Sequence, residues 1–182
     1  MGIFDVINLY NPFLNVFRRA NIYRKILAHI GENVQIFHKV SFGSEPYLIS
    51  LGNNVKITYG VKFITHDGGA YVLRNLYGNA QGMSVYGRIK IGNNVFIGND
   101  AIIMPGVSIG NNCIIAAGSI VTKSIPDNSV AAGVPCRVIK SIEEYYNKVK
   151  SNFVNSSNLS QSEKKDYLLN LFSENPRLLI KK

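Results

Sequence analysis

Three histidines occur in the 182-residue chain, His29, His38 and His66, and one of them stands where a regular sequence breaks off. In VKFITHDGGAYVLRN, residues 61–75, an apolar residue falls on every sixth position up to Phe63, and the beat does not return until Ile91. His66 sits at that break. A histidine titrates at about 6.5 when unperturbed, so it is the side chain best suited to remove a proton from a hydroxyl near neutral pH. A histidine base needs a partner that fixes its tautomer. Two carboxylates compete for that place, Glu45 and Asp67. His29 and His38 read as ordinary surface residues.

The elements that must position these groups are set by the repeat. Ile91, Ile97, Ile103, Ile109, Ile115 and Val121 lie six apart without exception. Four positions after each comes a small or β-branched residue: Val95, Ala101, Val107, Cys113, Ser119 and Ile125. Upstream the same beat runs through Ile30, Ile36 and Phe42, then Leu51, Ile57 and Phe63. An α-helix cannot keep every sixth residue on one face. Short strands joined by tight turns can, if three hexads complete one coil. Coils 30–47, 51–68, 91–108 and 109–126 then stack into three inward columns, Ile30/Leu51/Ile91/Ile109, Ile36/Ile57/Ile97/Ile115 and Phe42/Phe63/Ile103/Val121. Successive coils would lie ~4.8 Å apart, joined by backbone hydrogen bonds. The fold class is an all-β core, a parallel β-helix prism, with α-helices at both ends.

The register also bears on the two carboxylates. Glu45 is third after Phe42 and His66 third after Phe63, so they share a corner on adjacent coils, where Gly106 leaves room above. The nominal slot of Asp67 is the small inward one, where a carboxylate does not belong in a dry core. Either the chain has left the coil by then, or that carboxylate serves His66. The register favours Glu45, and Asp67 stays the rival. Residues 69–90 are far more than a turn requires, and loops of such length inside a compact domain are usually functional or disordered. Its glycines, Gly69, Gly78, Gly82 and Gly87, allow sharp bends, and Tyr71, Tyr77 and Tyr86 supply contact surface.

With its twelve hexads, ITHD at 64–67, IGNDAIIMPGVSIG at 97–110 and IIAAGSIVTKSIPDNSVAAGVPCRVIK at 114–140, the chain resembles the hexapeptide-repeat acyltransferases, specifically the small sugar and xenobiotic O-acetyltransferases. The resemblance covers about residues 30–140. It implies a left-handed coil, against the general right-handed rule for crossovers. It implies that His66 deprotonates an acceptor hydroxyl, which attacks the thioester of acetyl-CoA directly, with a backbone N–H of the glycine-rich loop stabilising the oxyanion. Cys113, at an inward position, reads as core rather than nucleophile. The resemblance further implies a homotrimer with the CoA arm in a groove between two prisms. Ala116, Ala117 and Gly118 would let the arm approach the backbone, Lys123, Arg137 and Lys140 would meet its phosphates as a cluster, and Pro135 would flank the adenine. The expected acceptor is a carbohydrate hydroxyl.

Composition bounds the rest. Hydrophobic residues are 46% and charged residues 17%, the balance of a globular chain. No run approaches the ~18 apolar residues of a membrane span, and the first residues do not read as a secretory signal. Two cysteines, Cys113 and Cys136, give neither a disulfide framework nor metal spacing, which fits a reducing cytoplasm. The net charge of +9 suits an anionic partner. Its basic residues are scattered and not interleaved with aromatics, so nucleic acid is not expected, and any membrane contact would be peripheral. The length fits one domain with short appendages: a helical cap over 1–29, the β-helix over 30–140 with its extended loop 69–90, and helices over 141–182. In the cap, residues 12–28 place Phe13, Val16, Phe17, Ala20, Ile26 and Leu27 on one face with arginines and lysine opposite. The patterns SIEE at Ser141 and SQSE at Ser160 predict helices over about 142–152 and 161–173.

Rival readings are a zinc site, a non-catalytic binding prism, and N-acetylation of a nucleotide-linked amino sugar. The first needs three converging histidines, whereas His29, His38 and His66 fall at different places in the repeat. The long loop and the AAGVPCRVIK motif count against the second. No metal is expected.

Overall fold

The hexads fold as short parallel strands that wind round three faces in the computed structural model, which describes Asn11 and residues 14–174. The first face stacks β1 (His29–Ile30), β3 (Ile49–Leu51), β8 (Ile89–Ile91) and β11 (Ser108–Ile109). The second stacks β2 (Gln35–Ile36), β4 (Val55–Ile57), β9 (Val95–Ile97), β12 (Cys113–Ile115) and β14 (Ser129–Gly133), closed by the antiparallel β15 (Cys136–Ser141). The third stacks β5 (Lys62–Phe63), β10 (Ile102–Ile103) and β13 (Ile120–Val121).

The strand register reproduces the three inward columns. Ile30 pairs with Leu51, Leu51 with Ile91, and Ile91 with Ile109. Ile36, Ile57, Ile97 and Ile115 form the second column, and Phe63, Ile103 and Val121 the third. Phe42 tops that third column, its ring stacked on Phe63 at 4.9 Å and 13°. The winding also continues further than the hexads suggest. Ile125, which the period places in a small inward slot, instead bridges to Ile109, and Ala131 pairs with Ile115, so a fifth coil begins two residues early.

The turns at the first edge share one chemistry. At the first edge Asn33, Asn54, Asn94, Asn112 and Asn128 all hold φ between 52° and 58°, a left-handed conformation that asparagine tolerates better than most residues. Beside them Asn53, Asn93 and Asn111 each donate a backbone N–H to the side-chain oxygen on the next coil, Asn93, Asn111 and Asp127, at 2.7–2.8 Å. The ladder ties coil to coil where no strand does.

The open N-terminal edge is closed by α1 (Val16–Tyr23). Its arginines do not all lie opposite the apolar face, as the sequence pattern suggests. Arg19 is buried and donates to the Ile36 carbonyl at 3.1 Å and to the Asn11 carbonyl at 2.8 Å. Arg24 donates to the Ile30 and Gly31 carbonyls. A first coil has no neighbour to donate to its outward carbonyls, and guanidinium groups supply the missing donors. The helix is also shorter than the 12–28 expected, ending at Tyr23, and Phe13 lies outside the described residues.

The described residues form two compact units, one ending at Ile142 and one beginning at Glu143. The second is helical over most of its described length, with most of α3 (Ile142–Val149), a 3-10 turn at Lys150–Asn152, and α4 (Gln161–Glu174). The capping box at Ser160 forms as its pattern predicts, Ser160 N–H to Glu163 at 2.8 Å and Glu163 N–H to the Ser160 hydroxyl at 3.3 Å. Among the described residues no helix is long and apolar enough to cross a membrane.

Ile97 is fully buried between Ile57 and Ile115. Ile97→Ala is expected to cost about 2–5 kcal/mol in denaturant unfolding; a loss below ~1 kcal/mol would show that the column is not close-packed there.

Candidate active site

The third edge, where the third face turns into the first, carries the interrupted winding. Coil one reaches it at Gly43–Glu45 and coil two at Ile64–His66, and the parallel register lays one over the other. The Glu45 Oε2 atom is 3.0 Å from His66 Nδ1. The same oxygen accepts from the Thr65 hydroxyl at 2.6 Å, and the Ser44 hydroxyl lies 3.3 Å from His66 Nδ1. Glu45 is 15% exposed and His66 44% exposed, so the carboxylate lies behind the ring and the ring faces out. The Thr65 hydroxyl above all, then Ser44 and His66, holds the Glu45 carboxyl below the usual glutamate range. Between the two candidate carboxylates the structure brings only Glu45 to the imidazole. Asp67 has left the coil, is exposed, and accepts the Gly69 N–H at 2.8 Å.

Residues 69–90 are not an irregular loop. His66–Asp67 (β6) pairs antiparallel with Val85–Tyr86 (β7), His66 opposite Tyr86, and between them stands α2 (Ala70–Leu76). The segment AYVLRNL has no glycine or proline, so a helix forms there and ends at Leu76, with Tyr77 extended ahead of Gly78. Arg74 ties the two limbs by donating to the Met83 carbonyl. The arm returns through Gly87, whose N–H meets the Thr65 carbonyl at 2.9 Å. A Cβ there would lie 2.3 Å from the Gly106 nitrogen, so no other residue fits the return.

The residues expected to hold a donor fall into three places rather than one cluster. Ala116, Ala117 and Gly118 turn the second edge, Gly118 at φ 67°. Pro135 lies in the turn between β14 and β15, and Arg137 pairs with Ala132 beside that turn. The Gly133 N–H donates to the Ser119 hydroxyl at 3.2 Å, which fastens the turn next to Gly118. Those five residues therefore share an edge. Lys123 does not; it follows Val121 at the third edge, two coils beyond His66 and so ~10 Å along the axis. Lys140 pairs with Val130 near the far end of the hairpin from Arg137. The separation corrects the picture of Lys123, Arg137 and Lys140 as a single basic cluster within one chain: Arg137 and Lys140 lie towards opposite ends of the hairpin, whose register shifts between Val130 and Ala131, and Lys123 lies at the third edge.

Cys113 is buried and its thiol is pushed up by burial, which leaves it unreactive. The functional residue that the sequence reading passed over is Thr65. It is fully buried, and a hydroxyl residue directly before the histidine at the break was the available signal.

The lowered Glu45 value has a definite sign. Its hydrogen bonds stabilise the fold above the ordinary glutamate range and are lost as pH falls through the lowered value. Thr65→Val removes the strongest donor, so the Glu45 titration seen by ¹³C NMR is expected to move up towards the ordinary glutamate range. An unmoved titration would contradict the contact.

The chain is similar to known proteins over most of its length. Residues 88–123 match the family described as bacterial transferase hexapeptide (six repeats). The chain is 49% identical over 154 residues to Protein CapG of Staphylococcus aureus, across 84% of this chain and 88% of that protein. It is 39% identical over 146 residues to galactoside O-acetyltransferase of Escherichia coli strain K12, across 70% of each. A galactoside acetyltransferase solved in complex with coenzyme A superimposes with a TM-score of 0.58 at 32% identity, covering 80% of this chain and 82% of that one. The left-handed winding expected from the resemblance is the fold of this group. By sequence and by architecture, the chain belongs to the hexapeptide-repeat acyltransferases.

Proposed function

We propose that the chain transfers the acetyl group of acetyl-CoA to a hydroxyl of a sugar, with His66 as general base. The observation that carries this reading is the 3.0 Å contact between Glu45 and His66 Nδ1 at the interrupted edge. A carboxylate at Nδ1 fixes the proton there and leaves Nε2 as the acceptor. Relatives named for galactoside and maltose O-acetylation, one solved with coenzyme A, support the donor and the acceptor class.

The reaction balances without a covalent enzyme intermediate. Nε2 takes the proton as the sugar oxygen attacks the thioester carbonyl carbon. The tetrahedral intermediate collapses, the C–S bond breaks, and the imidazolium returns its proton to the thiolate. The products are the acetyl ester and free CoA thiol. Glu45 stabilises the transient imidazolium and keeps the ring oriented, and Thr65 holds Glu45 ionised.

Donor binding involves a second copy in this reading. Ala116–Gly118, Pro135 and Arg137 lie on the second edge and His66 and Lys123 on the third, at opposite sides of the third face. That face turns Ile102 and Ile120 outward, half-buried in the single chain. A three-fold assembly with this face towards the axis sets the third edge of one copy beside the second edge of the next. The homotrimer so formed, working in the cytoplasm, completes the donor groove. The arm carries Tyr71, Leu73, Leu76 and Tyr77 at 50–67% exposure, apolar surface that suits contact with a neighbour.

Release of CoA thiol in the presence of acetyl-CoA and a panel of sugars tests the reading. His66→Ala is expected to lower kcat by about 10²–10⁴, the contribution of a positioned base. Glu45→Gln should lower kcat more than tenfold in order of magnitude, and Asp67→Asn should leave it near the wild-type value. Full activity of a folded His66→Ala protein, or a collapse in Asp67→Asn alone, would overturn it.

A further inference from the structure

The winding is interrupted twice beside His66, and only the arm has been given a role so far. Coil one is three residues longer than a regular coil, Ile30 pairing with Leu51 rather than with a residue eighteen positions on. The extra residues form a 3-10 turn at Pro46–Leu48, directly after Glu45. It projects Tyr47 from the first face, 62% exposed. On the next rung Ile49 pairs with Ile89 and Ser50 with Lys90. Ile89 points inward and is buried, so its neighbours Arg88 and Lys90 point out on the same face. Together Tyr47, Ser50, Arg88 and Lys90 line a cavity of about 220 Å³, along with Ala28 and Leu48.

Position and charge both bear on what this cavity receives. Arg88 follows Gly87, whose N–H is bonded to the carbonyl of Thr65, the residue before His66. With ~3.8 Å per residue step on either side of that bond and ~5 Å between the Cα atoms it joins, the Cα atoms of His66 and Arg88 lie within about 13 Å. Among the described residues neither Arg88 nor Lys90 has a carboxylate within ion-pair distance, and the nearby Glu45 is engaged by Thr65 and His66. Two cations, a hydroxyl and an exposed phenol ring therefore converge on one small concavity next to the base. An aromatic face packs on the apolar face of a pyranose, and a guanidinium with an ammonium fits an oxyanion.

We infer that this cavity is an acceptor subsite for a sugar that carries an oxyanion, either a uronate carboxylate or a phosphate ester. The inference rests on the sugar O-acetyl transfer proposed above and narrows its acceptor class. Tyr47 receives the ring, Arg88 and Lys90 hold the anionic group, and the hydroxyl to be acetylated is presented to His66.

Binding, read separately from turnover, tests it. Galacturonate, galactose 1-phosphate and galactose are titrated into the whole protein by ligand-observed NMR. One of the charged sugars is expected to bind about tenfold or more tightly than galactose, and which one identifies the anion. The contrast should vanish in Arg88→Gln/Lys90→Gln and persist in Arg88→Lys/Lys90→Arg. It should also shrink as salt rises from about 0.01 M to about 1 M, where screening length falls from ~30 to ~3 Å. Equal affinities for the three sugars, no binding by any of them, or a contrast that survives loss of both cations overturns the subsite. If the binding contrast stands while no sugar is acetylated, the subsite holds and the proposed reaction is what fails.

Discussion

Hydrogen bonding between successive coils is the constraint on which everything else in this chain depends. Each coil must place its backbone groups opposite those of the next, so the length of a coil decides which side chains meet. Coil one covers 21 residues between Ile30 and Leu51, and the same offset sets Phe42 on Phe63 and Glu45 beside His66. The arm changes the sequence distance to the next coil but not the register, since Leu51 still pairs with Ile91. A long excursion is tolerated because its ends re-enter on adjacent rungs, and loop-closure entropy grows slowly with length. The prism is thus a rigid ruler, and chemistry is written where extra residues leave it.

That division explains why the two excursions flank one another. The 3-10 turn follows the carboxylate, the arm follows the histidine, and both start from the same edge on neighbouring coils. Residues inside the ruler are apolar and interchangeable in kind; those at the break are polar and tied to named partners. Thr65 marks the boundary. It is fully buried like a core residue, yet its hydroxyl serves Glu45.

The inward columns were legible in the sequence because period six leaves no alternative face for Ile97 or Ile103, and the sharing of a corner by Glu45 and His66 followed from counting. Four features were not legible, each for a physical reason. Arg19 reads as a solvent-facing charge in a helical pattern, but an end coil has carbonyls that need donors, and periodicity carries no information about hydrogen-bond demand. The fifth coil begins at Ile125 because the fourth is two residues short, which breaks the six-residue count while preserving the stack. The helix Ala70–Leu76 is too short for an amphipathic pattern to declare itself. Similarly, the three basic residues at 123, 137 and 140 are near in sequence but separated by an edge and a hairpin, a distance that only the turn geometry sets.

The account turns on the proton at His66. Long-range ¹H–¹⁵N NMR of the ring, recorded at alkaline pH on the whole protein, locates it directly. A proton on Nδ1 facing Glu45, with Nε2 bare, is the predicted result. A proton on Nε2 would contradict the account, because the nitrogen assigned to remove the acceptor's proton would already be occupied.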